Sequence, residues 1–578
     1  MRIKHFFGLA VIAAMTASCS SNNDLVNGGG NGSSENETGV GYATLSINLP
    51  TTNGTRAAGN PEFKPGDANE YDVKDVTLLI FKEDGTSEND YTFVEKADLG
   101  TMAPWVKDDG NNGITTAATI TAKLSNVDLK GNYYALAILN NKGKDNALKV
   151  QMPTTDQTYS VWNDAKNATN LVDNTNGFYM ANAPEFTEAN KEPRTLVKID
   201  KIYATKQAAE TSAATTIHVE RGLAKVTVAS FPTGPTGLTP TGTKYNSDKV
   251  DITAWNLDVT NKSTFPIHKT TGLTSPFTTI WSASAEAAPS TGRFVDGTNK
   301  AFKRVYWGVD PNYDKDLTTV NDCESNFTVL AANAAITGDA ATPQYCLENT
   351  FDIKHMLQGQ TTRVVFKATY TPHGFNAGDT FYKIGNNTDL WSKTKLVEQI
   401  KAKAQEVLGK ESATNKVEVD LKAADNNIEE NAGTKILKEA NVQHNGVNVE
   451  PKEIKAINEK LGLKDATETE PTVGIATYAS GASYYIARIK HFGDVLTSWK
   501  EGDETYGDND ATQNNKYLGR YGVLRNNWYE LTVHSVSGPG TPDVPTIKPK
   551  DPDDENYKYI NVSVKILDWA KRSQRVDL

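Results

Sequence analysis

Three kinds of side chain in this 578-residue sequence could do chemistry: thiols, a basic residue standing alone in a polar run, and carboxylates or imidazoles if they cluster. Of the three cysteines, Cys19 directly follows Thr16-Ala17-Ser18. Ahead of these lie Arg2, Lys4 and His5 and then an apolar core from Phe6 to Met15, which together are the parts of a secretory signal peptide over residues 1–18. Small residues before a cysteine look like a bacterial lipoprotein processing site, so Cys19 is expected to become the acylated first residue of the mature chain. Cys323 and Cys346 are then the only thiols left in an exported protein, and they are expected to form a disulfide. Between Cys19 and Arg56 there is no other Arg and no Lys. Arg56 lies in the small, polar, turn-prone run Thr51 to Asn60, so a trypsin-like protease has one target there, and cutting it makes Ala57 the new N-terminus.

Signatures of catalysis are missing from the pattern. The eight histidines (His5, His218, His268, His355, His373, His444, His491 and His534) are scattered, with no HExxH, no paired-cysteine metal spacing, no GxSxG elbow and no phosphate loop. Each reads as a surface or strand residue. Asp503, Glu504, Asp508 and Asp510 place oxygen ligands in a loop but lack EF-hand spacing and its closing Glu, so no metal is assigned there. The expectation is a non-enzyme without cofactor. A net charge of -11 argues against nucleic acid, which demands a basic patch to displace counterions.

The elements that must position Arg56 are the two chain ends. In Tyr42 to Leu49, the apolar Ala43, Leu45, Ile47 and Leu49 alternate with Thr44, Ser46 and Asn48. Near the other end Ile560, Val562, Val564 and Ile566 alternate with Asn561, Ser563 and Lys565. Both have the period of a half-buried strand, so the two could occupy the same kind of groove, one replacing the other. Cleavage after Arg56 would release whatever holds the first strand covalently. The segment before the last strand, residues 538–556, is rich in Pro, Gly and charge and is expected to be an extended, well-solvated tether. The plainer alternative is that both strands sit at sheet edges.

Between the ends, many short alternating runs separated by Gly, Asn, Asp and Pro indicate a β-sandwich architecture. Strands are expected over Val73 to Phe81, Tyr133 to Leu139, Ile217 to Val228, Val250 to Val259, Arg304 to Val309, Thr361 to Tyr370, Tyr484 to Lys490 and Trp528 to Val533. Pro232, Pro235 and Pro240 mark a boundary between an N-terminal domain (57–235) and a C-terminal one (245–537), after a leash and first strand over 19–56. An insert over about 385–470 carries two helices. Leu396, Val397, Ile400, Val407 and Leu408 share one face, with Asp389 as the expected cap and Gly409 as the stop; Pro451 to Leu461 forms the second. Both are expected to cover an open face of the sandwich.

Several segments together resemble the Mfa1/FimA superfamily of major fimbrial subunits of Bacteroidales, and the Mfa1 type most closely. They are Val219 to Val226, Tyr306-Trp307 with Asp310-Pro311-Asn312-Tyr313, Glu348-Asn349-Thr350 with Thr362-Arg363-Val364, Gly522 to Leu531, and the terminal strand with Trp569 and Val576-Asp577-Leu578. Ser-Ser-Asn-Asn-Asp after Cys19 looks like the surface-export signal of Bacteroidetes lipoproteins. The resemblance implies two transthyretin-like Greek-key β-sandwich domains with a small helical insert in the second. It also implies a lipoprotein precursor at the outer membrane, cut by an arginine-specific protease after Arg56. The first strand (Ala43, Leu45, Ile47, Leu49) then leaves, and a neighbour's donor strand over 557–578 (Ile560, Val562, Val564, Ile566, Trp569) fills its groove. The product is a homopolymer with accessory anchor and tip subunits, a fimbrium supporting adhesion and biofilm. The competing reading is a tip adhesin or a surface lipoprotein that binds glycans through exposed aromatics such as Trp162, Trp391 or Trp499.

Overall fold

Alternating and continuous apolar runs become two kinds of strand, those buried on one face and those buried on both. The computed structural model describes residues 40–50, 66–100, 106–107, 114–164, 171, 175–185, 193–270, 305, 307–467, 472–492, 497, 517–553 and 560–568. The described chain is mainly β, arranged as layered sheets.

The first nine strands are β1 (Gly41–Pro50), β2 (Val76–Lys82), β3 (Thr92–Gly100), β4 (Val106–Lys107), β5 (Ile114–Leu124), β6 (Tyr133–Leu139), β7 (Met180–Asn182), β8 (Val197–Lys198) and β9 (Thr215–Arg221). Their order is β3-β2-β6-β7-β9-β1-β5-β4, with β8 paired to β6. The run YYALAIL of β6 lacks alternation because every one of its residues is buried. β9 turns the sheet into two layers: its first half pairs with β1 (Ile47 opposite Ile217) and its second half with β7 (Met180 opposite Arg221). Side chains of β1, β2, β6 and β9 therefore meet in one core.

The strand expected over 217–228 is two strands. The chain leaves β9 at Arg221, turns at Gly222, and resumes as β10 (Ala224–Val228) in another sheet. A Cβ on Gly222 would lie 2.8 Å from the Tyr179 ring, so only glycine lets the turn pack this closely. Leu223 belongs to the first core and Ala224 to the second. Strands β11 (Lys249–Asp258), β12 (Thr260–Asn261), β13 (Phe327–Thr328), β14 (Gln344–Cys346) and β15 (Arg363–Thr371) follow, and Arg304 to Val309 contributes only isolated bridges at its described positions.

Four strands, β16 (Phe381–Ile384), β17 (Leu390–Trp391), β18 (Val417–Val419) and β19 (Gly433–Lys435), precede β20 (Val442–His444), β21 (Val447–Asn448) and β22 (Ile475–Tyr478) in the insert. Then come β23 (Ala482–Arg488), β24 (Asn527–Val536) and β25 (Ile560–Asp568). One sheet runs β14-β10-β24-β25 and another β11-β15-β23. Val226, Tyr529 and Leu531 from the first and Ile252, Phe366 and Tyr485 from the second share a core, which makes this pair a sandwich.

The insert's helices do not lie over an open sandwich face. Leu396, Ile400 and Ala404 of Lys393–Leu408 and Ile454 and Ile457 of Pro451–Lys460 are buried in a third core with Tyr382, Val417, Ile428 and Val442. An insert with enough apolar residues of its own closes around them rather than spreading them on a neighbour. The first helix is capped by Ser392, whose hydroxyl accepts from the Lys395 amide, not by Asp389. Asp389 instead pairs with Lys244 at 2.7 Å. Gly409 ends the helix as expected, at a φ of 94°.

Candidate strand-exchange site

β1 is the first described strand in chain order and an internal strand in the sheet. It runs antiparallel to β5 along its length, Leu45 opposite Ile120, and parallel to β9 over Leu45 to Asn48. The expected apolar face is real: Ala43 is 1% exposed and Leu45, Ile47 and Leu49 are 0%. The three large aliphatics contribute roughly 1.5–3 kcal/mol each, so an empty groove is a poorly stable state and any departure requires a replacement. The other face, with Tyr42, Thr44 and Ser46, is half-buried. The Thr44 hydroxyl donates to the Ala209 carbonyl at 2.9 Å, from the short helix Lys206–Glu210.

The C-terminal strand behaves differently from the sequence expectation. β25 is not free within the chain; it pairs antiparallel with β24, Val564 opposite Leu531 and Ile566 opposite Tyr529, and forms the edge of that sheet. The segment before it is not a solvated tether either. Val544 and Ile547 are 1% and 4% exposed, each filling a small apolar cluster. Tyr484 and Thr541 exchange two backbone hydrogen bonds of 2.9 Å, the Tyr478 hydroxyl donates to the Gly540 carbonyl at 2.8 Å, and Arg363 donates to the Pro545 carbonyl at 2.6 Å. The strap ends at Asp553, a 2% exposed carboxylate that accepts from Arg488 Nε at 2.8 Å and from the Thr361 hydroxyl. Pro-rich composition argued for solvation, but Pro carbonyls remain good acceptors and buried donors on the sandwich find them. The overlooked signal was the pair Val544 and Ile547, which a solvated tether has no use for.

Cys19, Arg56, Ala57, Trp499, Trp569 and the acidic group around Asp503 lie outside the described residues. The expected disulfide is not made. Cys323 and Cys346 are free thiols buried in two different clusters, and burial pushes them up to about 11 and about 12. Trp162 is a core residue, 1% exposed, with its indole donating to the Gln151 carbonyl.

Sequence reasoning missed a buried polar seam between the first and second cores. Glu70 and Lys225 pair at 2.6 Å with side chains 0% and 2% exposed, and the Tyr345 hydroxyl donates to the same carboxylate at 2.6 Å. Arg221 Nε donates to the Glu70 carbonyl at 2.7 Å, and Arg525 Nε reaches Glu348 at 3.3 Å. His268, expected as a surface or strand residue, is 2% exposed, with Nδ1 2.9 Å from Glu220; His355 and His491 are buried as well. The Asp310 carboxylate accepts from the Asn312 and Thr350 amides, both at 2.6 Å, and from Asn261 at 2.8 Å; burial still pushes it up to about 7. The segments scattered along the sequence that carried the family resemblance thus converge here: Val219 to Val226, Asp310 to Tyr313, Glu348 to Thr350 and Gly522 to Leu531. The available signal was charge set inside apolar runs, as in VERGLAKV.

These features define a layered β protein in which the first described strand lies inside a sheet and the last lies at an edge. Residues 476–575, which contain β23, β24, the strap and β25, match the family model "Major fimbrial subunit protein type IV, Fimbrillin, C-terminal". Over that segment the chain is similar to the fimbrillin family, and this bears out the resemblance read from its sequence. No curated protein matches it. Among solved structures, a candidate cell-adhesion protein of Parabacteroides distasonis is similar at 9% identity and a TM-score of 0.37, covering 92% of this chain and 98% of that one. A candidate cell-adhesion protein of Bacteroides eggerthii gives 13% and 0.31, covering 93% and 98%. A fimbrial assembly protein of P. distasonis gives 12% and 0.27, covering 60% and 93%. Scores of this size establish no shared fold, and the likeness rests on the family model over residues 476–575.

Proposed function

We propose that this chain is the stalk-forming, Mfa1-type subunit of a surface fimbria and that it polymerises by protease-triggered strand exchange. The observation that carries the reading is the position of β1, first in the chain yet buried between β5 and β9. In this scheme the precursor is held at the outer membrane by the lipid on Cys19. An arginine-specific protease cuts after Arg56, β1 departs, and a neighbour's β25 enters between β5 and β9. Alternation supports the exchange, since INVSVKI presents the same apolar and polar periods as ATLSINL. The edge position of β25 supports it as well, because one ladder of hydrogen bonds is broken on leaving β24 while two form in the groove. Six residues separate Asp553 from β25 and span at most roughly 25 Å, so the receiving groove must lie within that distance of the strap's end. A contact in which one end of a subunit meets the opposite end of the next does not close on itself and gives a filament. Stalk fibres would end in accessory anchor and tip subunits and serve adhesion and biofilm.

The test is N-terminal sequencing of assembled fibres, with truncation after Asp553 as its partner experiment. Fibres should begin at Ala57, and cleaved subunits lacking 554–578 should stay monomeric and still unfold cooperatively. Fibres that begin at Cys19, or truncated chains that polymerise normally, would overturn the scheme.

A further inference from the structure

Two directions are open to a second copy's β25 if it replaces β1, and the apolar row cannot choose between them. Ile560, Val562, Val564 and Ile566 read Ile-Val-Val-Ile either way, and their carbon count nearly equals that of Ala43, Leu45, Ile47 and Leu49. The polar row does choose. Asn48 is 5% exposed, whereas Tyr42, Thr44 and Ser46 are half-buried. A donor that runs as β1 runs sets Lys565 at the Asn48 position and Asn561 at the Thr44 position; one that runs the other way exchanges them, and Ser563 meets Ser46 in both.

An ammonium group at the Asn48 position loses its water and gains no anion of its own. The register puts Ala117 and His218 on either side, and Glu185 already faces His218 at 3.8 Å. At the Thr44 position a lysine keeps a partner, because the Ala209 carbonyl that the Thr44 hydroxyl reaches at 2.9 Å is an acceptor, and its stem can run past the helix Lys206–Glu210 to solvent. The reversed donor also returns an asparagine to the buried position.

The two ends of the groove differ as well. A Cβ on Gly41 would lie 2.3 Å from Ile202 Cγ2, 3.0 Å from Val127 Cγ2 and 3.2 Å from Leu129 Cδ2, and Ile202 is branched at Cβ and cannot swing its methyl aside. No residue from 554 to 578 is a glycine, so the inward side chains of the tail must stop at the Ala43 position. The Leu49 end is the one that a cut after Arg56 would free, while the Gly41 end stays joined to residues 20–40. A donor whose tether arrives at the Leu49 end can take over the groove pair by pair as β1 peels from its severed end, and the apolar row is never left uncovered.

We infer that a second copy's β25 enters the groove opposite in direction to the β1 it replaces. Ile560 takes the place of Leu49, Val562 of Ile47, Val564 of Leu45 and Ile566 of Ala43, with Asn561 at the Asn48 position and Ile202 as the end stop. The new strand pairs parallel to β5 and antiparallel to β9. This inference rests on the strand-exchange reading above and adds to it which end of one subunit meets the next: the donor's Asp553 comes to the Leu49 end, within the roughly 25 Å that its tether spans.

The experiment uses the full chain assembled into fibres. Asn561→Cys is combined in turn with Ala117→Cys and with Thr121→Cys, the β5 partners of Asn48 and Thr44, and Lys565 is kept so that the charge that sets the direction stays. Oxidised fibres are denatured and run unreduced, with Asn561→Cys alone as the background for the native thiols. A covalent ladder of subunits is expected with Ala117→Cys and none with Thr121→Cys, since residues four apart on a strand lie roughly 13 Å apart, beyond one disulfide. A charge transposition gives a second readout. Asn561→Lys should lower fibre yield at least about tenfold by burying its lysine, and Lys565→Asn should keep yield within about twofold, with both monomers matching the native thermal midpoint. A ladder through Thr121→Cys, fibres with no ladder from either pair, or full yield from Asn561→Lys would overturn the inference. Fibres that begin at Ala57 and link through Thr121→Cys leave the exchange standing and remove the direction alone; fibres that begin at Cys19 remove both.

Discussion

Lys225 lies 2.6 Å from the Glu70 carboxylate and 4.0 Å above the ring of Trp528, with no solvent to replace either partner. Replacing only the lysine, as Lys225→Met, strands a buried carboxylate and should destabilise the chain by about 3–5 kcal/mol in urea titration. Replacing both, Glu70→Leu with Lys225→Met, should restore much of that loss, because the desolvation cost disappears with the pair. His355 offers a pH-dependent case. Burial lowers its affinity for a proton, but hydrogen bonds to Asp352 at 2.6 Å and Asp316 at 3.0 Å, with their charges, outweigh burial and raise its pKa in the fold. Its contribution is therefore complete below the unfolded imidazole value of about 6.5 and is lost as pH rises through the folded value. The stability difference between the native chain and His355→Gln should be larger at acid pH than at alkaline pH; an equal difference at both would remove the imidazolium from the account. At Cys323 and Cys346, alkylation of the unreduced protein should be slow when folded and should label both thiols in denaturant.

Among elements, the strap over 538–553 decides how the tail is presented. Gly540 lies so close to the next backbone that a Cβ there would sit 2.1 Å from the Tyr484 carbonyl oxygen. Gly540→Ala must push the strap off β23, break the Tyr484–Thr541 exchange and cost about 1–3 kcal/mol. Limited proteolysis should then cut within 538–553, where the native chain resists; unchanged resistance would show that the strap holds without this contact. β1 makes the opposite kind of element. It is buried on one face by the first core and touched on the other by the helix Lys206–Glu210 through Thr44, so on the proposed scheme it would leave as a whole strand.

At the level of the whole molecule, the seam of Glu70, Lys225, Arg221, Arg525 and Glu348 joins the core that holds β1 to the sandwich that carries β25. On the proposed scheme the groove and the donor thus belong to one body, and a pull on one is felt at the other. Arg56→Ala should leave lipidated precursor on the membrane and few filaments by electron microscopy. Val564→Asp should block filaments by placing an unpaired carboxylate in the receiving groove, a larger penalty than its effect at the sheet edge of its own chain. Filaments of normal number and length from Val564→Asp chains would rule out insertion by this strand.

The sequence by itself determined what local periodicity encodes. Period-two runs became β1, β11, β15, β24 and β25 and a continuous apolar run became β6 at nearly the expected places, Gly409 ended the helix, and Ala43, Leu45, Ile47 and Leu49 went into the core. The family resemblance was legible because its motifs are short and contiguous. Only the tertiary structure decided what touches what. A period of two cannot say that IHVERGLAKVTV crosses from one sheet to another at Gly222, since both halves alternate alike. It cannot say that two exported thiols lie in separate clusters, that Pro and Gly between 538 and 553 bind the sandwich instead of water, or that β25 has a partner in its own chain. Each of these depends on donors, acceptors and apolar surface supplied from tens to hundreds of residues away: Tyr484 and Arg363 for the strap, β24 for the tail, and Glu348 for Arg525 across 177 positions.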